Sequence, residues 1–269
     1  MKFNHPKIFL KLLAISLLFN ANTVSSQPKD YYMLKALVIP VHTQSNQVFT
    51  SLGFDGGFDL NLSYSFKRKV YLFGSFNANP LSHQRKESVS GRYKIFKNDY
   101  AASLGFGRFE HSKHTFFNSY EYSGGLSLTR IDSYWRYVSE TDEIKDVFTN
   151  ALYQSAFVQV DGTKILSNIH LGAGARIACS RFGELMYYTR SQANVTSNSK
   201  PFTMVTLEPA LGFSYLIATF RGNFQLGVSI PLYAQNVLME STAGLDEKTA
   251  YGDFYFFWRI SIQRLKIRG

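Results

Sequence analysis

Six ionisable residues stand where the chain otherwise places small ones. Asp59, Glu121, His170, Arg176, Glu208 and Arg259 share their parity with Gly, Ser, Asn and Ala, on segments whose opposite parity is apolar. Three are acids, two are arginines and one is a histidine, so the set can neutralise itself in pairs. An isolated charge in a narrow interior is costly, whereas a paired and hydrogen-bonded one is tolerated. The set therefore reads first as a structural charge network, and second as a catalytic or ligand-binding cluster made of the same groups.

Other chemistry is thinner. His111 and His114 flank a turn beside Glu110, a spacing that can serve a metal. No third ligand is nearby, so solvated turn residues are the better reading, and neither metal nor cofactor is expected. Ser82-His83 and Asp132-Ser133 fall on predicted outer loops, where a hydrolase of lipid or peptide would carry its groups. Neighbours on an extended chain point to opposite faces, so Ser82-His83 is not a ready dyad. No Ser/His/Asp set assembles and no catalytic residue is assigned. The single cysteine, Cys179, leaves no disulfide within the chain. Asn194-Val195-Thr196 fits a glycosylation acceptor and marks an exposed loop.

The elements that must position these groups are legible at 58–76. From Phe58 to Phe66 every even residue is apolar and every odd one small or polar, the period-two signature of a strand with one greasy and one wet face. The basic turn Lys67-Arg68-Lys69 sends the chain back through Val70-Tyr71-Leu72-Phe73. Alternation and turn chemistry predict ten strands, at about 31–41, 49–66, 70–79, 100–109, 115–131, 147–160, 165–179, 202–217, 224–233 and 251–265; merging the weakest gives eight. Short connections at 67–69, 111–114, 161–164 and 221–223 alternate with longer ones. Asp161-Gly162 is a strong hairpin turn signal.

Residues 1–26 read as a cleaved secretory signal: Lys2, Lys7 and Lys11 precede the apolar run 12–19 and a small-residue stretch. That run is too short for a membrane-spanning helix, which needs ~20 apolar residues. Loss of the three lysines lowers the formal charge from +10 to +7. For an exported chain the counterpart is anionic lipid rather than nucleic acid. Residues 27–269 read as a single domain.

A secreted β-sandwich or lipocalin-like barrel also alternates greasy and polar residues. Three features favour a membrane barrel. The polar faces hold Gly, Ser, Asn and Ala, which suit a crowded barrel interior. The greasy faces run four or five residues, near the ~9–11 residues a tilted strand needs to cross. With 17 Tyr and 24 Phe, aromatics recur near strand ends, where interfacial girdles lie. Phe58, Tyr64, Phe66, Tyr71, Tyr215, Phe254 and Trp258 are the girdle candidates.

On signal, alternation and turn pattern, residues 30–265 resemble the small outer-membrane β-barrel families of Gram-negative bacteria, porin-like or OmpX-like in architecture and Bacteroidota-like in type. The resemblance implies an all-β closed antiparallel transmembrane β-barrel, periplasmic short turns, outer long loops and residence in the outer membrane. Such barrels usually end on an aromatic residue, whereas this chain ends Leu265-Lys266-Ile267-Arg268-Gly269; the alternatives are a relaxed assembly signal or a last strand that runs to Ile267. Lys67, Arg68, Lys69, Lys113, Lys164 and Arg221 then form a basic periplasmic side, facing phospholipid headgroups or an acidic partner. The expected role is a non-enzymatic scaffold or accessory subunit of a secretion or uptake complex, with a side-chain-filled lumen. Its partners would be outer-membrane lipid, lipopolysaccharide and a protein of that complex. A barrel enzyme acting on lipid or peptide at the outer face, or a narrow diffusion channel, are the alternatives.

Overall fold

The computed structural model describes residues 42–54, 57–79, 82–87, 91–112, 115–138, 144–190, 194–199, 201–217, 220–234, 237–241, 247–249 and 255–267. The predicted signal at 1–26 and the predicted strand at 31–41 lie outside them, as do Lys113, His114 and Phe254.

Ten strands form a ring: β1 Gln47–Phe54, β2 Phe58–Ser65, β3 Val70–Asn79, β4 Asp99–His111, β5 Ser119–Val138, β6 Ile144–Leu166, β7 Ile169–Arg190, β8 Phe202–Ile217, β9 Phe220–Ala234 and β10 Tyr255–Ile267. Each pairs antiparallel with its neighbour in the chain. The last pairs with the first, from Gln47↔Ile267 to Phe54↔Ile260, so no edge is left within the ring. The count is the predicted ten, but differently composed. The predicted strand 49–66 is two strands, folded back between Phe54 and Phe58, and the ring closes without 31–41. β10 runs through to Ile267.

Burial alternates along the strands, and with inverted polarity. On β2, Asp59, Asn61, Ser63 and Ser65 are buried while Phe58, Leu60 and Leu62 are exposed. Leu104, Phe106, Leu126 and Leu211, each 62–70% exposed, continue that greasy outer surface around the wall. A water-soluble sandwich does the reverse. The polar parity faces the lumen because only there can Ser, Asn and the charged groups find partners.

Chain entry, chain exit and the connections 66–69, 112–118, 167–168 and 218–219 share one end. Lys67–Lys69 is a turn of 3-10 helix there, with Lys69 at φ 61°. At the opposite end the β1–β2 connection is only three residues, contrary to the expected strict alternation of short and long. The β3–β4, β7–β8 and β9–β10 connections there carry extra strands. Ser82–Glu87 pairs with Gly91–Lys97, which pairs with β5, and Asn194–Ser199 pairs with β7 and with Val237–Ser241. The outer segments expected as loops at 81–93, 132–146 and 180–201 are thus largely sheet, and β5, β6 and β7 reach 20, 23 and 22 residues against 8, 8 and 10 for β1 to β3.

The hairpin expected at Asp161-Gly162-Thr163-Lys164 is not a turn. β6 continues to Leu166 and turns at Ser167-Asn168, where Ser167 takes φ 46°. Asp161 instead points inward and accepts from Gln159 Nε2 at 2.7 Å. Gly162 clears space for the Phe117 ring, which a Cβ there would strike. Lys164 and Arg221 therefore lie on strands β6 and β9, not in turns.

Candidate functional site: the charge network of the filled lumen

Strand pairing brings the inward ionisable residues together two by two. Asp59 on β2 and Arg259 on β10 lie on either side of β1, the strand that closes the ring. Arg259 Nε donates to Asp59 Oδ2 at 2.8 Å, a second guanidinium nitrogen donates to Asp59 Oδ1, and the same nitrogen donates to Ser51 Oγ at 2.7 Å. Asn61 Nδ2 donates to Asp59 Oδ1 at 2.6 Å. The bidentate clamp passes over Gly53, where any Cβ would collide with the Asp59 carboxylate and the Arg259 Nε. It ties β2 to β10 across the seam.

Arg176 and Glu208 face each other in the β7–β8 register, with Nε donating to Oε2 at 2.5 Å. Thr206 Oγ1 donates to Glu208 Oε1 at 3.2 Å, and the guanidinium carbon stands 5.5 Å from the Phe157 ring centroid. His170 accepts at Nε2 from an Arg221 nitrogen, 3.0 Å away. Arg221, expected in a basic turn, points into the barrel because β9 begins at Phe220.

Glu121 takes a partner from outside the strands. The Thr43–Asn46 turn is held by Gln47 Oε1, which accepts from the Thr43 and Gln44 amides at 2.7 and 3.1 Å. That turn sends His42 into the lumen, where its amide donates to Glu121 Oε1 at 2.6 Å. Its Nε2 lies 3.1 Å from Ser63 Oγ, and its ring stacks on Tyr71 at 4.7 Å and Phe109 at 5.6 Å. Ser63, His42 and Glu121 stand in the order of a hydrolytic relay, with Nδ1 3.6 Å from Glu121 Oε1. His42 is fully buried, however, and a substrate would have to displace its stacked aromatic neighbours. What the geometry does is anchor the segment that enters β1. Replacement of His42 by alanine is expected to cost about 1–3 kcal/mol, since Ser63 loses its buried partner; the midpoint of heat-induced unfolding in detergent measures it. His42 carries no signal in the sequence, because it precedes the alternating pattern.

Aromatic rings fill the rest. Tyr71, Phe73, Phe109 and Phe157 form one cluster with Ala178. Gly107 stands across from Tyr71 and Gly105 across from Phe73 in the β3–β4 register; a Cβ on either would strike the ring. Gly125 does the same for Phe157. Tyr71, expected in the outer girdle, is thus an interior residue, 1% exposed. It lies opposite inward Ser65, and Val70 and Leu72 take the outward parity instead. Further along, the Tyr153, Phe182 and Phe202 rings stack at centroid spacings of 4.4 Å.

Of the other girdle candidates, Phe58 and Phe66 are exposed and Tyr64 and Tyr215 half-exposed, with Tyr64 and Phe66 edge to face at 4.9 Å. The Trp258 and Arg68 side chains lie outside the described set; Lys67 and Lys69 are exposed. Asp132 and Ser133, expected on a loop, lie on β5 facing opposite ways: Asp132 is exposed, and Ser133 is buried and donates to Asp99 Oδ1 at 3.2 Å. His111 lines an open cleft of about 460 Å³ at the chain-entry end, with Thr43, Ser112, Thr115, Asn118 and Lys164. Its Nε2 lies 2.9 Å from the Thr43 carbonyl oxygen. Among the described residues, no group of three His, Cys, Asp or Glu is placed to hold a metal ion.

Fold and interior together define a closed ten-strand antiparallel barrel with an apolar exterior and a lumen packed with paired charges and rings. Among solved structures it is similar to the translocator domain of the autotransporter NalP from Neisseria meningitidis, at a TM-score of 0.48 and 11% identity over 81% of this chain and 86% of that one. It is also similar to the KdgM porin in complex with disordered oligogalacturonate, at 0.26 and 6% over 81% and 98%. A third is OmpT, an outer membrane protein of Vibrio cholerae, at 0.17 and 8% over 82% and 95%. No family model and no curated protein matches the sequence.

Proposed function

We propose that the chain is an integral outer-membrane β-barrel, exported by a signal within residues 1–26, that serves as a non-enzymatic scaffold or accessory subunit of an envelope complex. The observation that carries this reading is the inverted polarity of the wall. Leu52, Leu62, Leu104, Phe106, Leu126, Val158, Leu211 and Ile262 are exposed around the ring while Asp59, Glu121, Glu208 and Arg259 are buried inside it. Only a closed barrel or a helix satisfies its backbone in hydrocarbon, and a barrel with this exterior has lipid as its natural solvent.

The filled lumen favours a scaffold over a diffusion channel, because salt bridges and stacked rings occupy the bore of a small barrel. The wall of β5 to β7, raised above β1 to β3, offers one end for contact. The exposed lysines of the Lys67–Lys69 turn offer steering charge at the other.

The purified protein is expected to migrate faster unheated than boiled on detergent gels, and to pass no steady current in planar bilayers. Co-purification from native membranes in mild detergent tests the subunit role. A chain that emerges only as a monomer overturns that role, and a steady single-channel conductance overturns the filled lumen.

A further inference from the structure

Seven arginines have described side chains, and five are satisfied by neighbours. Arg176 and Arg259 pair with Glu208 and Asp59, Arg108 pairs with Glu110 at 3.0 Å, Arg221 donates to His170, and Arg264 lies over the Phe220 ring. Arg130 on β5 and Arg181 on β7 have no such partner among the described residues, and both are exposed on the outside of the wall. Their neighbours there are apolar: Leu126, Leu128, Leu152, Val158 and Ile177 are all exposed. The exposed Gln154 lies between them, paired with Leu128 on one side and Arg181 on the other, while Arg130 pairs with Leu152. Among the described residues, the nearest acid on this surface is Asp132, one outward position beyond Arg130.

Depth gives the pair its meaning. The stretches Tyr120–Arg130, Leu171–Arg181 and Lys164–Gln154 each start near the short-turn end and match the ~9–11 residues a tilted strand uses to cross a bilayer. Arg130, Gln154 and Arg181 therefore reach the opposite headgroup level together. A lipid-facing arginine costs about 2–4 kcal/mol at the bilayer midplane and about 0–1 near the interface. Two of them, on outward positions either side of β6 and without an ion pair among the described residues, call for an anion from the lipid itself. The same strands continue well past this level, to Val138, Ile144 and Arg190. Along that extension the pairing sets Arg136, Asp146 and Arg190 in one cross-strand row. A small phospholipid headgroup would not reach such a wall; a phosphorylated saccharide would lie along it.

We propose that Arg130 and Arg181, with Gln154 between them, clamp a phosphate of lipopolysaccharide, whose acyl chains lie along Leu126, Leu128, Leu152 and Val158. The site rests on the outer-membrane reading above and names the lipid that this sector of the wall selects.

The test titrates lipopolysaccharide, the same lipopolysaccharide stripped of phosphate, and phosphatidylglycerol against the purified barrel in neutral detergent. Arg130→Ala/Arg181→Ala is expected to weaken binding of the intact glycolipid by roughly thirty-fold, at about one charge's worth of surface attraction per arginine. Arg130→Lys/Arg181→Lys should keep most of it. The wild type should prefer the phosphorylated form to both other lipids. Equal binding by the alanine variant, or by the stripped glycolipid or phosphatidylglycerol, overturns the clamp while heat-modifiable migration remains. Loss of heat-modifiable migration in the wild type itself overturns the barrel reading, and the clamp with it.

Discussion

Replacement of Asp59 by alanine is expected to destabilise the barrel by about 3–5 kcal/mol, the usual loss when one partner of a buried ion pair is removed. Arg259 would be left with Ser51 alone in an interior where it is 2% exposed. The effect should be larger than for surface pairs such as Arg108 with Glu110, because solvent cannot replace the lost partner. Position matters as much as burial. The clamp links β2 to β10 over β1, and every other pairing in the ring joins sequence neighbours, so this seam is the one long-range closure the chain must make. Urea unfolding of vesicle-reconstituted protein measures the change. The apolar pair Asp59→Leu/Arg259→Met should regain most of the stability, as a buried pair replaced by packed hydrophobic groups often does. Gly53→Val should mimic the single loss, since its side chain must occupy the space of the clamp. Asp59→Ala with wild-type stability would mean that the pair contributes nothing to closure.

Removal of the aromatic plug, two rings at once, should have a still larger effect on stability, and a different readout. Tyr71→Ala/Phe157→Ala is expected to cost about 3–5 kcal/mol for each ring lost, since Gly105, Gly107 and Gly125 have no side chains with which to fill the cavity. The emptied space adjoins Glu121, Asp161 and Arg176, polar groups that would draw in water. The variant should therefore pass a steady ionic current in planar bilayers while the wild type remains closed. Unchanged conductance in a variant that still folds would place the constriction elsewhere, at the Tyr153, Phe182 and Phe202 stack.

Alternation alone assigns Asp59, Glu121, His170, Arg176, Glu208 and Arg259 to one set of faces, and the structure buries all six. Parity is local, so it survives errors in strand ends. Turn positions do not share that robustness. Asp161-Gly162 has the composition of a hairpin, yet Asp161 serves the lumen and Gly162 the packing of Phe117, and the chain turns at Ser167-Asn168. The error carried Lys164 with it, and a similar one at 221–223 placed Arg221 in a turn rather than in the bore. Tyr71 failed for a further reason. An aromatic residue at a strand end fits a girdle or an interior equally well, and only the Gly107 opposite it shows that the interior has room.

What the sequence determines by itself is the period-two pattern, and from it the strands and the grouping of residues on shared faces, because each strand's pleat is a property of its own backbone. Which face becomes the inside, which acid meets which arginine, and how His42 reaches Glu121 are decided only by closure. These depend on register between strands as far apart as β1 and β10, and register is a relation between segments that no single segment contains.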